Sequence, residues 1–294
     1  MSRVQAAGSG GRARAGVVLL WVLAATPARA GHGAAGELQS DPRVDVPVTL
    51  GLGLTWLAAE VWKEELAPAH CRWCDQDAEG RSTLNALDAS ARRALRWDED
   101  HAAAARASDL TAFVLAPASA LGLNALVAAQ AGALEHAPED ALLVLESVAV
   151  SMVLNQAAKF AFGRERPFVQ GLTPEQKART LHPSDNYASF YSGHTSLAFT
   201  LATASGTVAS MRGYAWAPLV WGTGLTLAAT AGYLRIAADR HYLTDVLVGA
   251  LVGSAVGVAV PRLFHAPEEP AAVQEAAAPR RRASGPRLVL AWSW

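Results

Sequence analysis

The sequence predicts an all-α protein, a multi-helix transmembrane bundle. Six apolar segments, near 46–62, 110–131, 141–158, 195–210, 217–234 and 243–264, are rich in Ala, Leu and Val and lack strand-like alternation. The segments at 110–131 and 243–264 comfortably reach the roughly 20 residues that a bilayer core requires. Charged residues gather at the segment ends, and charge at bilayer depth is costly enough that it usually serves a purpose. The 294-residue chain is 51% hydrophobic, with 25 Lys+Arg against 26 Asp+Glu. A net charge of −1 offers no basic field for nucleic acid.

Residues 1–30 read as a secretory signal, cleaved near Ala30, with an uncleaved anchor as the alternative. Arg3, Arg12 and Arg14 precede the apolar run GVVLLWVLAA, and ARA at 28–30 fits a small-x-small cleavage site. Residues 31–108 follow as an N-terminal segment with a short apolar helix and a soluble part containing two cysteines. The segment at 46–62 is short and carries Glu60, which suits the membrane interface better than a crossing. Cys71 and Cys74, in CRWC, can form a small disulfide in an oxidising compartment or stay a thiol pair; zinc would need two more ligands. STLNALDASARRALRW reads as an amphipathic helix capped by Ser82.

The helical core is expected over 109–265. Glu146 and Asn155, inside the third apolar segment, are expected to hydrogen-bond between helices. The Ser/Thr-rich segment at 195–210 suits helix contact more than lipid contact. Trp216 and Trp221 fit an interfacial belt. Gly249, Gly253 and Gly257, four apart, make a surface for close packing. Residues 266–294, Ala/Pro/Glu-rich and then basic at Arg280, Arg281 and Arg282, read as a disordered tail. No internal repeat and no second domain is evident.

Three polar clusters stand at helix ends: Lys159 with Arg166 and Pro167; Ser192, Gly193 and His194; and Arg235, His241 and Asp245. Lys159 and Arg166 lie about two helical turns apart, so both can reach one mouth, and Pro167 ends the helix. Arg235 adds a planar fork suited to tetrahedral oxyanions. Ser192 and Gly193 open a helix, whose free N–H groups and dipole favour a phosphate. Together these describe an anion pocket. His241 and Asp245, four apart, share a helical face, so the carboxylate can accept from one ring nitrogen and leave the other as a nucleophile toward phosphorus. His194 can give a proton to the leaving oxygen and later activate water. The three cations would stabilise charge on the equatorial oxygens, and no metal or other cofactor is required. Asp239 with Arg240, and Arg164 with Glu165, read as solvated local pairs. The loop 168–190, with Lys177, Arg179 and His182, is expected to cover the pocket.

These clusters resemble the three-part signature of the type 2 phosphatidic acid phosphatase (PAP2) superfamily, K-x6-R-P, P-S-G-H and S-R-x5-H-x3-D. Lys159, Arg166 and Pro167 match the first part. Ser192, Gly193 and His194 match the second, with Tyr191 in place of proline; Arg235, His241 and Asp245 match the third, with Leu234 in place of serine. The resemblance covers roughly 140–262. It implies an all-helical fold with the active site at one membrane face, a phosphohistidine on His241 and His194 as general acid.

The expected activity is that of a metal-independent phosphatase, a phosphoric monoester hydrolase acting on a membrane lipid phosphomonoester or diphosphate. Candidate substrates are phosphatidic acid, phosphatidylglycerol phosphate, a polyprenyl diphosphate or a lipid A phosphate. A vanadate-dependent haloperoxidase and a non-catalytic phosphate-binding membrane protein are the alternatives. The expected partners are the bilayer and its lipid phosphate, with neither nucleic acid nor an obligatory protein partner. The expected location is a bacterial-type inner membrane, multi-pass. If 46–62 crosses after an exported N-terminus, the site faces the cytoplasm; if it lies on the surface, the site faces the periplasm, where a CRWC disulfide persists. The second arrangement is the expectation.

Overall fold

The computed structural model describes residues 36–77 and 79–267. The signal-like segment 1–30 and nearly all of the 266–294 tail lie outside them. Ten α-helices follow in order. α1 is Pro42–Val61, α2 Lys63–Leu66, α3 Ala86–Leu95, α4 His101–Leu110 and α5 Ala116–Gln130. Then come α6 Ala137–Phe162, α7 Pro174–Lys177, α8 Gly193–Met211, α9 Ala217–Ala237 and α10 Leu243–Phe264. A π-helical turn, Thr111–Leu115, joins α4 to α5 in one long rod. Among the described residues there is no strand, only two isolated bridges, Trp73 with Arg164 and Gln76 with Ser82.

α8 runs through the centre, packed against α5, α6, α9 and α10. Its Leu197, Leu201 and Val208 meet Leu143 and Val144 of α6 and Ala228 of α9 in the main core. Its hydroxyls also join helices: Ser151 bonds Ser196 at 2.9 Å, and Thr200 bonds both Ser151 (2.9 Å) and the Gly253 carbonyl (3.1 Å). Polar groups so placed satisfy one another away from lipid. The glycines of α10 face this helix. A Cβ on Gly249 would fall 2.7 Å from the Ser192 carbonyl oxygen, and side chains at Gly253 and Gly257 would strike Ser196 and Thr203.

Among the described residues four helical rods are, by length and composition, apolar enough to cross a membrane: Pro42–Val61, His101–Gln130, Leu134–Phe162 and Leu243–Phe264. α1 is one of them, longer than the 46–62 segment expected at the interface. It is a full 20 residues, packs along α6 and exposes Leu50, Leu54 and Leu57 outward. An exposed leucine stripe of this kind suits contact with lipid or with a partner. Glu60 stands near the α1 C-terminus and pairs with Lys63 at 3.1 Å, so its charge sits at a helix end rather than at depth.

The segment 63–100 is fastened onto one end of the bundle. Its helix starts at Asn85, whose side chain accepts from Asp88 N at 2.9 Å, and not at the expected Ser82. Arg92 of α3 grips the Asp239 carboxylate with two bonds of 2.7 Å, and Trp97 N donates to the Ala237 carbonyl at 3.0 Å. At the opposite end Arg212 joins Glu139 (2.6 Å), Asp140 (2.8 Å) and the Gly36 carbonyl (2.9 Å). Trp216 is 44% exposed at that end, whereas Trp221 packs its ring over Gly206.

Candidate active site

The three polar clusters come from the C-terminus of α6, the N-terminus of α8 and the turn between α9 and α10, all at the end covered by 63–100. α6 stops at Gly163, whose φ of +56° is a left-handed C-cap that glycine adopts without strain. Lys159 thus stands in the last turn, 9% exposed. Arg166 follows the cap, with its main-chain N–H on the Asn186 carbonyl (2.8 Å) and Nε on the Asp185 carbonyl (2.8 Å).

Ser192 caps α8, and its Oγ lies 2.8 Å from Thr195 Oγ1. Gly193 has no room for a side chain: a Cβ there would lie 2.8 Å from Asn155 Oδ1 and 3.3 Å from Lys159 Nζ. The ammonium therefore lies directly over the first turn of α8. Arg235 sits in the last turn of α9, 5% exposed, with its Nε buried and lacking a partner among the described residues. Its Nη1 is 3.6 Å from Asp109 Oδ1, and the same oxygen lies 2.7 Å from His194 Nε2. Phe113, on the π-helical turn, packs edge-on against the His194 ring at 4.6 Å.

His241 is 2% exposed. Burial, and then the charges of Arg166, Arg235 and Lys159, push its imidazole well below the ordinary range, so the ring is neutral. The expected hydrogen bond from this ring to Asp245 is not made: Nδ1 is 3.7 Å from Asp245 Oδ2 and instead donates to the Ser189 carbonyl at 2.8 Å. The carboxylate is taken up elsewhere. It accepts from Ser189 Oγ (2.6 Å), Tyr242 N (3.0 Å) and Arg164 Nη1 (2.7 Å). Asp245 thus orients His241 through Ser189. With Nδ1–H committed to a carbonyl, the lone pair of the neutral ring lies on Nε2.

Arg164 and Asp239 are not solvated. Arg164 is fully buried between the faces of Trp73 (4.1 Å) and Tyr242 (4.2 Å) and binds Asp75, Asp88 and Asp245 at once. Glu165 is buried and pairs with Lys177 of the covering loop. Asp239 is held by Arg92, and Arg240 lies over the Phe168 ring at 4.7 Å. Arg179 and His182 are exposed. Cys71 and Cys74 form a disulfide in the loop that carries Trp73 and Asp75.

Several contributors escaped the sequence reading. Asp109 stands just before an apolar segment and resembles an ordinary helix-end acid. Asn155 was visible as a polar residue at depth; it donates to the Tyr191 carbonyl at 2.8 Å, supporting the turn where the signature has proline. Asp185 pairs with Lys63 of α2 at 2.6 Å and lies 3.9 Å from Arg166. Burial opposes its ionisation, but the Arg166 and Lys63 charges outweigh it and hold the carboxyl well below the usual range. Nothing local marks Asp109 or Asp185. Glu146 lies at the far end, with His265 as its partner.

Residues 140–268 match the model of the PAP2 superfamily. Over 118 residues the chain is 32% identical to the lipid A 1-phosphatase of Porphyromonas gingivalis, an alignment covering 40% of this chain and 22% of that protein. The chain therefore spans well under half the length of that relative. A crystal structure of a transmembrane PAP2 type phosphatidylglycerolphosphate phosphatase from Bacillus subtilis superimposes with a TM-score of 0.44 at 19% identity, covering 80% of this chain and 98% of that one.

Proposed function

Taking residues 140–268 as a PAP2-superfamily region, we propose that this protein is a membrane phosphatase that removes a phosphate from a lipid through a phosphohistidine on His241. One observation carries the reading: three cations, the N-terminus of α8 and two imidazoles with different partners converge at one end of the bundle.

In this mechanism the phosphate dianion is held by Lys159, Arg166 and Arg235, with its oxygens toward the first-turn amides of α8 from Gly193 onward, the Ser192 amide being committed to the Asp245 carbonyl at 3.1 Å. The neutral His241 attacks phosphorus through Nε2, forming the N–P bond as the P–O bond to the lipid breaks. The cations that keep His241 neutral are offset by the phosphate itself, which favours a proton on His194 at the moment it is needed. That proton passes to the leaving lipid oxygen. Water then attacks the phosphohistidine, giving its proton to His194, and inorganic phosphate leaves while the lipid hydroxyl stays in the bilayer. Charge stabilisation comes from the protein's own cations.

A lipid substrate is supported by the apolar rods, which let acyl chains remain in the membrane while the headgroup reaches the pocket, and by the relative named a lipid A 1-phosphatase. The test is phosphate release from a panel of phosphatidic acid, phosphatidylglycerol phosphate, undecaprenyl diphosphate and lipid A in detergent, with chelator present or absent and with vanadate as competitor. Release that survives chelator and stops with vanadate is expected; halide oxidation with vanadate and no phosphate release would replace this reading with the haloperoxidase one.

We place the site on the periplasmic side of an inner membrane. The Cys71–Cys74 disulfide supports this, because it lies at the same end as the histidines and a disulfide persists in an oxidising compartment. With α1 as a crossing helix, residue 36 then lies on the cytoplasmic side, so an exported N-terminus and a periplasmic site do not hold together.

A further inference from the structure

At the end of the bundle remote from the histidines, Asp45 of α1, Glu146 of α6 and His265 after α10 bring one ligand atom each to within 4.8 Å of the other two. We propose that these three residues bind a transition-metal dication of the zinc class, distinct from the catalytic pocket, that ties α1, α6 and the end of α10 together. His265 is 3% exposed, and its Nδ1 lies 2.7 Å from the Gln39 carbonyl, which can only accept. Nδ1 therefore carries the hydrogen, and the lone pair of the neutral ring lies on Nε2. That atom faces Glu146 Oε2 at 3.1 Å.

A lone pair and a carboxylate oxygen at that distance need a positive charge between them, a proton or a metal. The separation suits a metal: two ligands each about 2.0–2.1 Å from one ion stand roughly 3 Å or a little more apart. A ring N–H held by a main-chain carbonyl is also the usual support of a metal-bound histidine.

Charge favours a dication over a proton. Asp45 and Glu146 are both at least nine-tenths buried, and among the described residues neither forms an ion pair with a lysine or arginine. One proton on His265 leaves a net negative charge in the cluster, whereas a dication neutralises both carboxylates. Asp45 is itself positioned, its Oδ2 accepting from Asp41 N at 2.8 Å. A cavity of about 570 Å³ opens onto Asp45 and His265 and is lined by Glu37 and Asp41, with no lysine or arginine among the described residues of its wall. An acidic approach of this kind concentrates cations. One imidazole and two carboxylates fit zinc or manganese better than calcium or magnesium.

The experiment uses full-length protein carrying an affinity tag without histidine, stripped with chelator in detergent and titrated with Zn²⁺ alone. Bound zinc is counted by mass spectrometry, and melting temperature is followed against zinc concentration. About one equivalent per chain is expected, with a melting temperature that climbs with zinc because metal binds only the folded state. His265→Gln and Glu146→Gln should each weaken binding at least tenfold, while His241→Ala keeps it. Wild type that binds no stoichiometric zinc overturns the proposal in favour of a protonated His265–Glu146 pair. Zinc lost in His241→Ala but kept in His265→Gln overturns it too, by moving the metal to the catalytic pocket. Should His265→Gln fail to fold, the wild type loaded with Co²⁺ gives a separate reading, since visible ligand-field bands of an imidazole-bound ion are expected and their absence counts against the site.

Discussion

His241 and His194 are both imidazoles in one pocket, and the proposed mechanism gives them opposite tasks because their partners differ. The first has Nδ1 fixed on the Ser189 carbonyl and a field of cations that keeps it neutral. The second rests on the Asp109 carboxylate at 2.7 Å, but burial and then the Arg235 charge outweigh that partner and pull its pKa down to about 4. Replacing His241 with Ala should lower turnover by on the order of 10³-fold or more in a protein that still folds, since a nucleophile has no substitute; phosphate release at constant protein is the measurement. Arg235→Lys should cost about 10²-fold or more in kcat/KM, because a point charge cannot replace a two-pronged donor in a desolvated pocket. Asp109→Asn should lower kcat more than it raises KM. The His241 imidazole also links folding to pH. Its folded pKa lies well below the ordinary value of about 6.5, so as pH falls the unfolded chain takes up the proton first and stability declines from about pH 6.5 downward. Compared with His241→Asn, the wild type should lose melting temperature between pH 7.5 and 5.5.

Among the elements, two contacts hold the pocket in register. The first is α10 against α8, where Gly249, Gly253 and Gly257 let the backbones meet. The N-terminus of α8 carries His194 and that of α10 carries Asp245, so their spacing sets the pocket. Gly253→Ala must push on the Ser196 carbonyl, which is main chain and cannot swing away. A loss of about 1–3 kcal/mol is expected, read as a lower melting temperature with reduced activity. The second is Arg164, which gathers Asp75 from the disulfide loop, Asp88 from α3 and Asp245 from α10. Arg164→Met leaves three buried carboxylates facing one another and should cost about 3–5 kcal/mol. These contacts join parts of the chain that sequence order keeps 76 to 89 residues apart, so neither the hub nor its partners could be read from local pattern.

Among the described residues the long helices α1, α4–α5, α6, α8, α9 and α10 alternate in direction and carry both described chain ends to the face opposite the histidines. If the site is periplasmic, a membrane-impermeant thiol reagent applied to reduced intact cells should label Cys71 and Cys74. A cysteine placed at Ser40, in a background lacking those two, should label only after permeabilisation. The reverse pattern would put the chemistry in the cytoplasm.

By itself the sequence determined the class of the fold, the apolar segments and three polar clusters at their ends, because hydropathy, helix period and motif spacing are local properties. The tertiary structure alone decided that α1 packs as a full-length rod, that Ser189 and not Asp245 holds the His241 ring, and that Asp109, Lys63 and Arg164 stand around the three polar clusters. Each of those depends on contact between residues distant in the chain, and burial turned charges that look like solvated pairs into the buried ion pairs of the pocket's frame. A sequence records which side chains are available; only the packing of helices determines which of them meet.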